Sequence, residues 1–432
     1  MSSSEYNLLN GWQMADITEN AWHIQIHFLL VILLVLPCMA SPISAGSYTL
    51  GIFGNANMDD TIDEQDIEYV RGIIVGIKEE TELADANCDG KIDERDITQI
   101  RQMMNGDDME VAFLDSDNKA VSVKKPVKRL IVLGTSHAEV LRSLNCNKKI
   151  VGVSTYVTDK QDFHPEMMDL PTVGSGWTPD YEAIIGLDPD IILQYSGWTP
   201  EMEDNLKDTG IAVARIGLKM DNYTSEIARL GYVLDAEDSA KEVIDFHDGC
   251  MKTIRDRVGN LSEDKKPKVF LEWSLDYQTD PNSSLHQLCK MAGGLNIAAD
   301  IPGKNPTVDA EWIMTKDPDI IVKYPFRKTA DHGYTTNNSS EMETLRENII
   351  SRPGFANITA VKEGGVFVMG QEIVSGPRAL VAVAYMAKWF HPDLFKDLDP
   401  KAIHQEYLTR FQGLDYDLDK QGVFVYPPLE ER

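Results

Sequence analysis

"LDPDIIL" fills residues 187–193, and "KDPDIIV" fills residues 316–322. Each closes a longer phrase, "DYEAIIGLDPDIIL" (180–193) and "DAEWIMTKDPDIIVKY" (309–324), built on one grammar. An apolar stretch with helical spacing comes first, an Asp-Pro-Asp break stops it, and a run of Ile, Leu or Val follows. A short, wholly apolar run after such a break reads as a strand buried on both faces, as in a parallel sheet covered by helices. A single lobe needs this helix–strand step once. Its return in the second half of the chain predicts two α/β lobes, each with its own sheet.

The surroundings extend the pattern. "VAFLDSDNKAVSV" (111–123) alternates like a hairpin with Asp117 and Asn118 in the turn. "KRLIVLGTSHAEVLRSL" (128–144) is a buried strand, a Gly turn and a helix opening on Thr135 and Ser136, and "KIVGVSTY" (149–156) is the next strand. The same order restarts with "PKVFLEW" (267–273) and "SLHQLCKMAGG" (284–294). Between the halves, "SAKEVIDFHDGCMKTIRDRV" (239–258) carries one apolar stripe at helical spacing, with Ser239 as its expected cap. The expected divisions are a lobe over 109–236, a linker helix over 237–260 and a second lobe over 265–426.

A smaller repeat precedes them. Residues 55–66 read "NANMDDTIDEQD" and 85–96 read "DANCDGKIDERD", each followed by a matched amphipathic helix. In the second copy oxygen side chains stand at loop positions 1, 3, 5, 9 and 12: Asp85, Asn87, Asp89, Asp93 and Asp96. Gly90 sits at the sharp turn and Lys91 offers its carbonyl, the arrangement by which a curled backbone gathers oxygens around calcium. The first copy is degenerate, with Asn55 for the first acid and Asp60 at the glycine position, but it retains Asn57, Asp59, Thr61 (by its carbonyl), Asp63 and Asp66. Duplicated loop–helix units closed by Asp resemble a dockerin module over 53–107. The resemblance implies Ca2+-dependent folding and a cohesin-bearing partner.

With 432 residues, a net charge of −28 and no cluster of Lys or Arg, the chain has no nucleic-acid footprint. "HFLLVILLVLPCMASPISA" (27–45) has an apolar core and a small-residue cleavage pattern, so residues 1–45 are expected to be an export leader, with an anchor over 24–40 as the alternative. Of the five cysteines, Cys38 lies in the expected leader; Cys88, Cys146, Cys250 and Cys289 lack metal-site spacing and are expected as buried thiols, with one disulfide among them as the alternative. No triad, paired-carboxylate motif or phosphate loop is present.

One long helix between two α/β lobes resembles the ABC-transporter substrate-binding proteins that carry iron–siderophore, haem or cobalamin complexes. The resemblance spans about 110–426 and rests on the phrases above together with "LPTVGSGWTPDYEAIIGLDPDIIL", "AGGLNIAAD" and the closing "FQG…FVYP". It implies non-enzymatic capture of a metal chelate and delivery to a dimeric permease. A dockerin-bearing extracellular hydrolase is the rival. In α/β lobes ligands bind beyond the carboxyl ends of the strands, which nominates Thr135, Ser136, Tyr156, Trp177, Tyr195 and Trp198 from the first lobe. The second nominates Trp273, Tyr324, Arg327, Glu372 and Arg378, and His137 is expected to be structural. Glu182 and Glu311 stand at one offset before the two repeated phrases, where the resemblance implies pairing with permease arginines.

Overall fold

The computed structural model describes residues 48–429, so the expected leader and anchor lie outside the described residues. Strands β1 (Glu110–Leu114) and β2 (Ala120–Lys124) form the expected antiparallel hairpin, with Asn118 at φ 55° in its turn. Next come β3 (Leu130–Val132), β4 (Ile150–Val153), β5 (Ile191–Gln194) and β6 (Ala212–Arg215), a parallel sheet in the order β4-β3-β5-β6. The second lobe has β7 (Lys268–Glu272), β8 (Leu295–Asn296), β9 (Ile320–Lys323), β10 (Val366–Met369) and β11 (Val425–Tyr426). Its order is β11-β10-β9-β7-β8, parallel except at β11.

The repeated phrase does one structural job twice. Helix Ala310–Lys316 ends at Asp317, and helix Tyr181–Gly186 ends at Leu187 just before Asp188; both aspartates lie in the left-handed region, at φ 44° and 46°. The second aspartate of each break then grips the start of the neighbouring strand. Asp190 accepts from the amides of Lys128 and Arg129 at 2.7 and 2.8 Å beside β3, and Asp319 accepts from the Lys268 amide at 2.7 Å beside β7. Ile191, Ile192 and Leu193 follow with no exposed surface, as do Ile321 and Val322. Such burial contributes roughly 1.5–3 kcal/mol per side chain.

The linker helix runs Glu237–Val258, its 22 residues spanning roughly 33 Å. Ser239 is not its cap. Ala236 holds that position, and the Ser239 hydroxyl accepts from the Asn145 amide at 3.1 Å. The helix lies so close to its neighbour Tyr223–Val233 that a Cβ on Gly231 would meet Ala240 at 2.4 Å.

Helices Glu64–Ile74 and Glu94–Asn105 reproduce the small repeat. Asp63 and Asp93 cap them in the same extended conformation, and Ile67, Val70, Ile97 and Ile100 pack into a common core. The preceding segment is shared with the first lobe: Phe53 N donates to Ala112 O and Leu114 N to Gly51 O, both at 2.9 Å, along β1. A bond from Ser116 N to Arg215 O at 2.7 Å ties that hairpin to β6. The small module is therefore sutured to the lobe at its entry strand.

Candidate ligand-binding cleft

In each lobe the strand ends carry an aromatic wall. Tyr195 leaves β5 and Tyr324 leaves β9 at the same place in the repeated phrase. Trp198 stacks on Trp177 with centroids 4.0 Å apart and planes 18° from parallel, and Tyr195 and Tyr156 bracket it at 5.2 and 6.1 Å. Trp177 is 52% exposed, so a broad aromatic face remains open. In the second lobe, Trp273 packs 4.7 Å from Tyr324, and the exposed Phe326 stands edge-on to both. These rings form two separate clusters rather than one pocket lining.

Thr135, Arg327, Glu372 and Arg378 converge on a cavity of about 130 Å³ between the lobes. Lys160 and Phe163 also line it, and sequence reasoning did not name them. Both follow Tyr156 on a loop whose spacing carries no motif. Arg378 is positioned by an ion pair and a ring. Its Nε is 3.0 Å from a carboxylate oxygen of the fully buried Glu139, and its guanidinium lies 4.6 Å above the Phe163 ring. Burial opposes the charge on Arg378, and Glu139 more than restores it. Glu139 belongs to helix Thr135–Ser143 of the first lobe, so this pair joins the lobes.

Glu372 has the opposite character. Only 7% of it is exposed, and neither carboxylate oxygen receives a hydrogen bond. His332 Nε2 lies 3.1 Å away, but that nitrogen accepts from the Gln371 amide at 3.0 Å while Nδ1 faces the Ala330 carbonyl at 2.7 Å. A proton on Nδ1 satisfies both contacts and leaves Glu372 without a donor.

Two nominated residues, Ser136 and Tyr195, also bond to each other. The Ser136 amide donates to the Tyr195 hydroxyl at 3.1 Å, which engages both residues, and the Ser136 side chain abuts Gly376. A Cβ there would sit 2.4 Å from Ser136 Oγ, and Gly376 has φ 59°, so only glycine lets the lobes meet at this point. Glu272, at the exit of β7, is fully buried and bound by Arg352 at 2.6 and 2.8 Å and by Lys323 at 2.8 Å. His137 is buried with Nε2 2.8 Å from the Ile216 carbonyl, in keeping with a structural role.

Glu182 and Glu311 lie exposed in the first turns of matched helices. The caps come from Asp180 and Asp309, which accept from Ala183 N at 3.0 Å and Trp312 N at 2.7 Å. Each helix runs back toward the strand that follows it, so its first turn lies on the cleft side of the sheet.

The family profile described as periplasmic binding protein matches residues 130–373, across both lobes and the linker. The chain belongs to this family. Among the relatives of this periplasmic binding protein is an uncharacterized ABC transporter substrate-binding lipoprotein of Bacillus subtilis, 27% identical over 66% of this chain and 86% of that protein. A cobalamin-binding protein of Halobacterium salinarum is 25% identical over 64% of this chain and 73% of its own length. The solved molybdate-bound MolA of Haemophilus influenzae shares the fold, with a TM-score of 0.57 and 21% identity, over 71% of this chain and 99% of that one. The protein is thus a non-enzymatic substrate-binding component of an ABC importer, a partner of a membrane permease.

The two repeated loops of this binding protein, expected to gather oxygens around calcium, are built alike but not gathered in that way. In both, the position-12 aspartate accepts backbone amides: Asp66 from Asn57 and Asp63 at 3.0 and 2.8 Å, Asp96 from Asn87 and Asp93 at 3.2 and 2.7 Å. Asp59 and Asp89 accept from Thr61 N and Lys91 N at 2.8 and 3.0 Å. Among the described residues no three His, Cys, Asp or Glu groups are drawn together as for a metal ion. Arg95 instead ion-pairs with both Asp89 and Asp93 in the second loop, and Asp85 accepts from Asp89 N and Gly90 N. Two features still fit a cation. Asn55 Oδ1 is buried without a partner while its amide donates to the Leu50 and Asp59 carbonyls, both at 2.7 Å. Burial also raises the Asp66 carboxyl to about 6 and shifts Asp96 upward. The thiols are free, but Cys88 in the second loop is exposed rather than buried.

Proposed function

We propose that this importer component carries a corrinoid, a large, flat cobalt chelate fringed with amides. The observation behind the choice is Glu372, buried without a donor beside Arg378, Lys160 and Arg327. A corrin rim brings amide N–H groups to Glu372 and amide carbonyls to the cations, which satisfies both signs of charge. Molybdate or an acidic siderophore brings acceptors only and would face Glu372 unscreened. A cavity of about 130 Å³ is below the roughly 300–1,000 Å³ of ligand sites, so the ring body lies between the aromatic walls and only its edge enters the polar cavity. The cobalamin-binding relative supports this reading. Protein recovered from cells supplied with cyanocobalamin should retain a cobalt corrinoid detectable by native mass spectrometry. Retention of molybdate or a ferric chelate in its place would overturn the assignment.

Exposure, with no ion pair to either among the described residues, supports a docking role for Glu182 and Glu311 at the permease dimer. Changing both to alanine should leave ligand affinity intact and lower transport in reconstituted vesicles several-fold at low salt, with the difference from wild type narrowing at high salt, since exposed charge pairs are screened. Unchanged transport would return both residues to an ordinary first-turn role.

The duplicated loops support a calcium-stabilised module over 53–107, in which Arg95 yields its carboxylates to the ion. Calcium at a hundredfold excess over its dissociation constant should stabilise the module by about 2.7 kcal/mol. Asp85→Ala with Asp89→Ala should remove much of that gain, read as the melting shift on chelation. Identical melting with and without chelator would rule out a metal-built module. The expectation of a cohesin partner finds no support and is not carried further. Delivery through an importer places the lobes outside the cytoplasmic membrane.

A further inference from the structure

We propose that the cleft is bipartite, with a second cavity that takes the nucleotide arm of a complete corrinoid, the phosphate-linked aromatic base absent from cobinamide. This rests on the corrinoid reading and adds a subsite to it. The second cavity holds about 400 Å³, within the range of ligand sites, whereas the polar cavity does not reach that range. Leu218 and Met220 line it from the first lobe, and Leu288 and Val374 from the second, so it exists only when the lobes are together. Ser375 lines both cavities, and the Ser136–Gly376 contact stands between them. A ligand gripped at its rim in the polar cavity would reach this room past Ser375, the residue the two linings share.

The wall toward the first lobe is purpose-built. Leu218 is in the left-handed region at φ 51°, a conformation that costs any residue other than glycine. It is held there by Glu226, a carboxylate with no exposed surface that accepts from the Leu218 and Gly217 amides and from the Ser116 hydroxyl. An internal carboxylate spent on fixing one bend of a loop is explained if that bend shapes a binding surface. The chemistry at the rim suits an anionic link. Lys219 borders the cavity with Asp221 close behind it in the chain, and so does the start of helix Ser284–Met291, whose preceding Ser283 sends its hydroxyl to Asp280 instead of capping.

Gln287 is exposed on that helix and borders the cavity, so tryptophan there adds bulk without entering the core. Titrations of wild type and Gln287→Trp with cyanocobalamin and with dicyanocobinamide separate the possibilities. The subsite predicts that the variant loses at least about tenfold in affinity for cyanocobalamin and keeps its affinity for dicyanocobinamide, which also reports a sound fold. Equal losses for both ligands, or no loss for either, would overturn it. If wild type binds neither corrinoid, the corrinoid reading itself fails.

Discussion

Taking the protein from pH 7 to pH 5 should lower its unfolding free energy by roughly 3–5 kcal/mol. Three buried histidines carry the effect. Burial holds His137 down to about 4, lowers His404 to about 3 with Arg378 adding to it, and lowers His164 to about 2 with help from Arg142 and Arg378. All three are neutral in the fold, whereas an unfolded histidine titrates near 6.5. A depressed folded value means that stability is complete above the unfolded value and drains away as pH falls below it. At pH 5 the loss is about 2 kcal/mol per histidine. Asp66 runs the other way, because its carboxyl is raised to about 6 and takes up a proton in the fold as pH falls, returning part of the loss. Urea midpoints at the two pH values measure the net effect. His404→Gln, placed 2.7 Å from the Tyr334 hydroxyl, should flatten the dependence by about a third of the histidine contribution. Equal midpoints at both pH values would contradict this account of the buried rings.

Arg378→Met should cost about 3–5 kcal/mol of stability, because Glu139 then stays buried as an unpaired carboxylate with only the Tyr407 hydroxyl, at 2.7 Å, to answer it. The double variant Glu139→Gln, Arg378→Met should recover most of this, since no charge is stranded. Chemical denaturation of the four proteins closes a double-mutant cycle. If the single and double variants are equally unstable, the pair does not couple the lobes.

How far the molecule is legible from its residues depends on where the information sits. The repeated "DPDII" phrase was readable because it encodes a local requirement: Asp190 and Asp319 grip the adjacent strand, and the apolar run behind each is buried on both faces. The small repeat was readable for the same reason, since Asp63 and Asp93 cap helices that start at matched positions. The cleft was only half legible. Strand-exit position brings Thr135, Arg327, Glu372 and Arg378 to one cavity, while the Ser136 side chain meets Gly376 at the lobe contact beside it. Lys160 and Phe163 reach the cavity through a loop that turns back after a four-residue helix, Thr155–Thr158, and spacing cannot announce such a turn. Arg95 is the plainest miss. No feature of the loop's oxygen spacing singles it out, yet it ion-pairs with two of the carboxylates expected to face calcium.

Calorimetric titration of the purified protein with cyanocobalamin, beside molybdate and a ferric siderophore, bears most directly on the corrinoid reading. The account predicts one-to-one cyanocobalamin binding at about −8 kcal/mol or tighter, weakened by about 1–3 kcal/mol in Trp177→Ala through loss of the open aromatic face. Binding of molybdate or the siderophore without any heat from cyanocobalamin would contradict it.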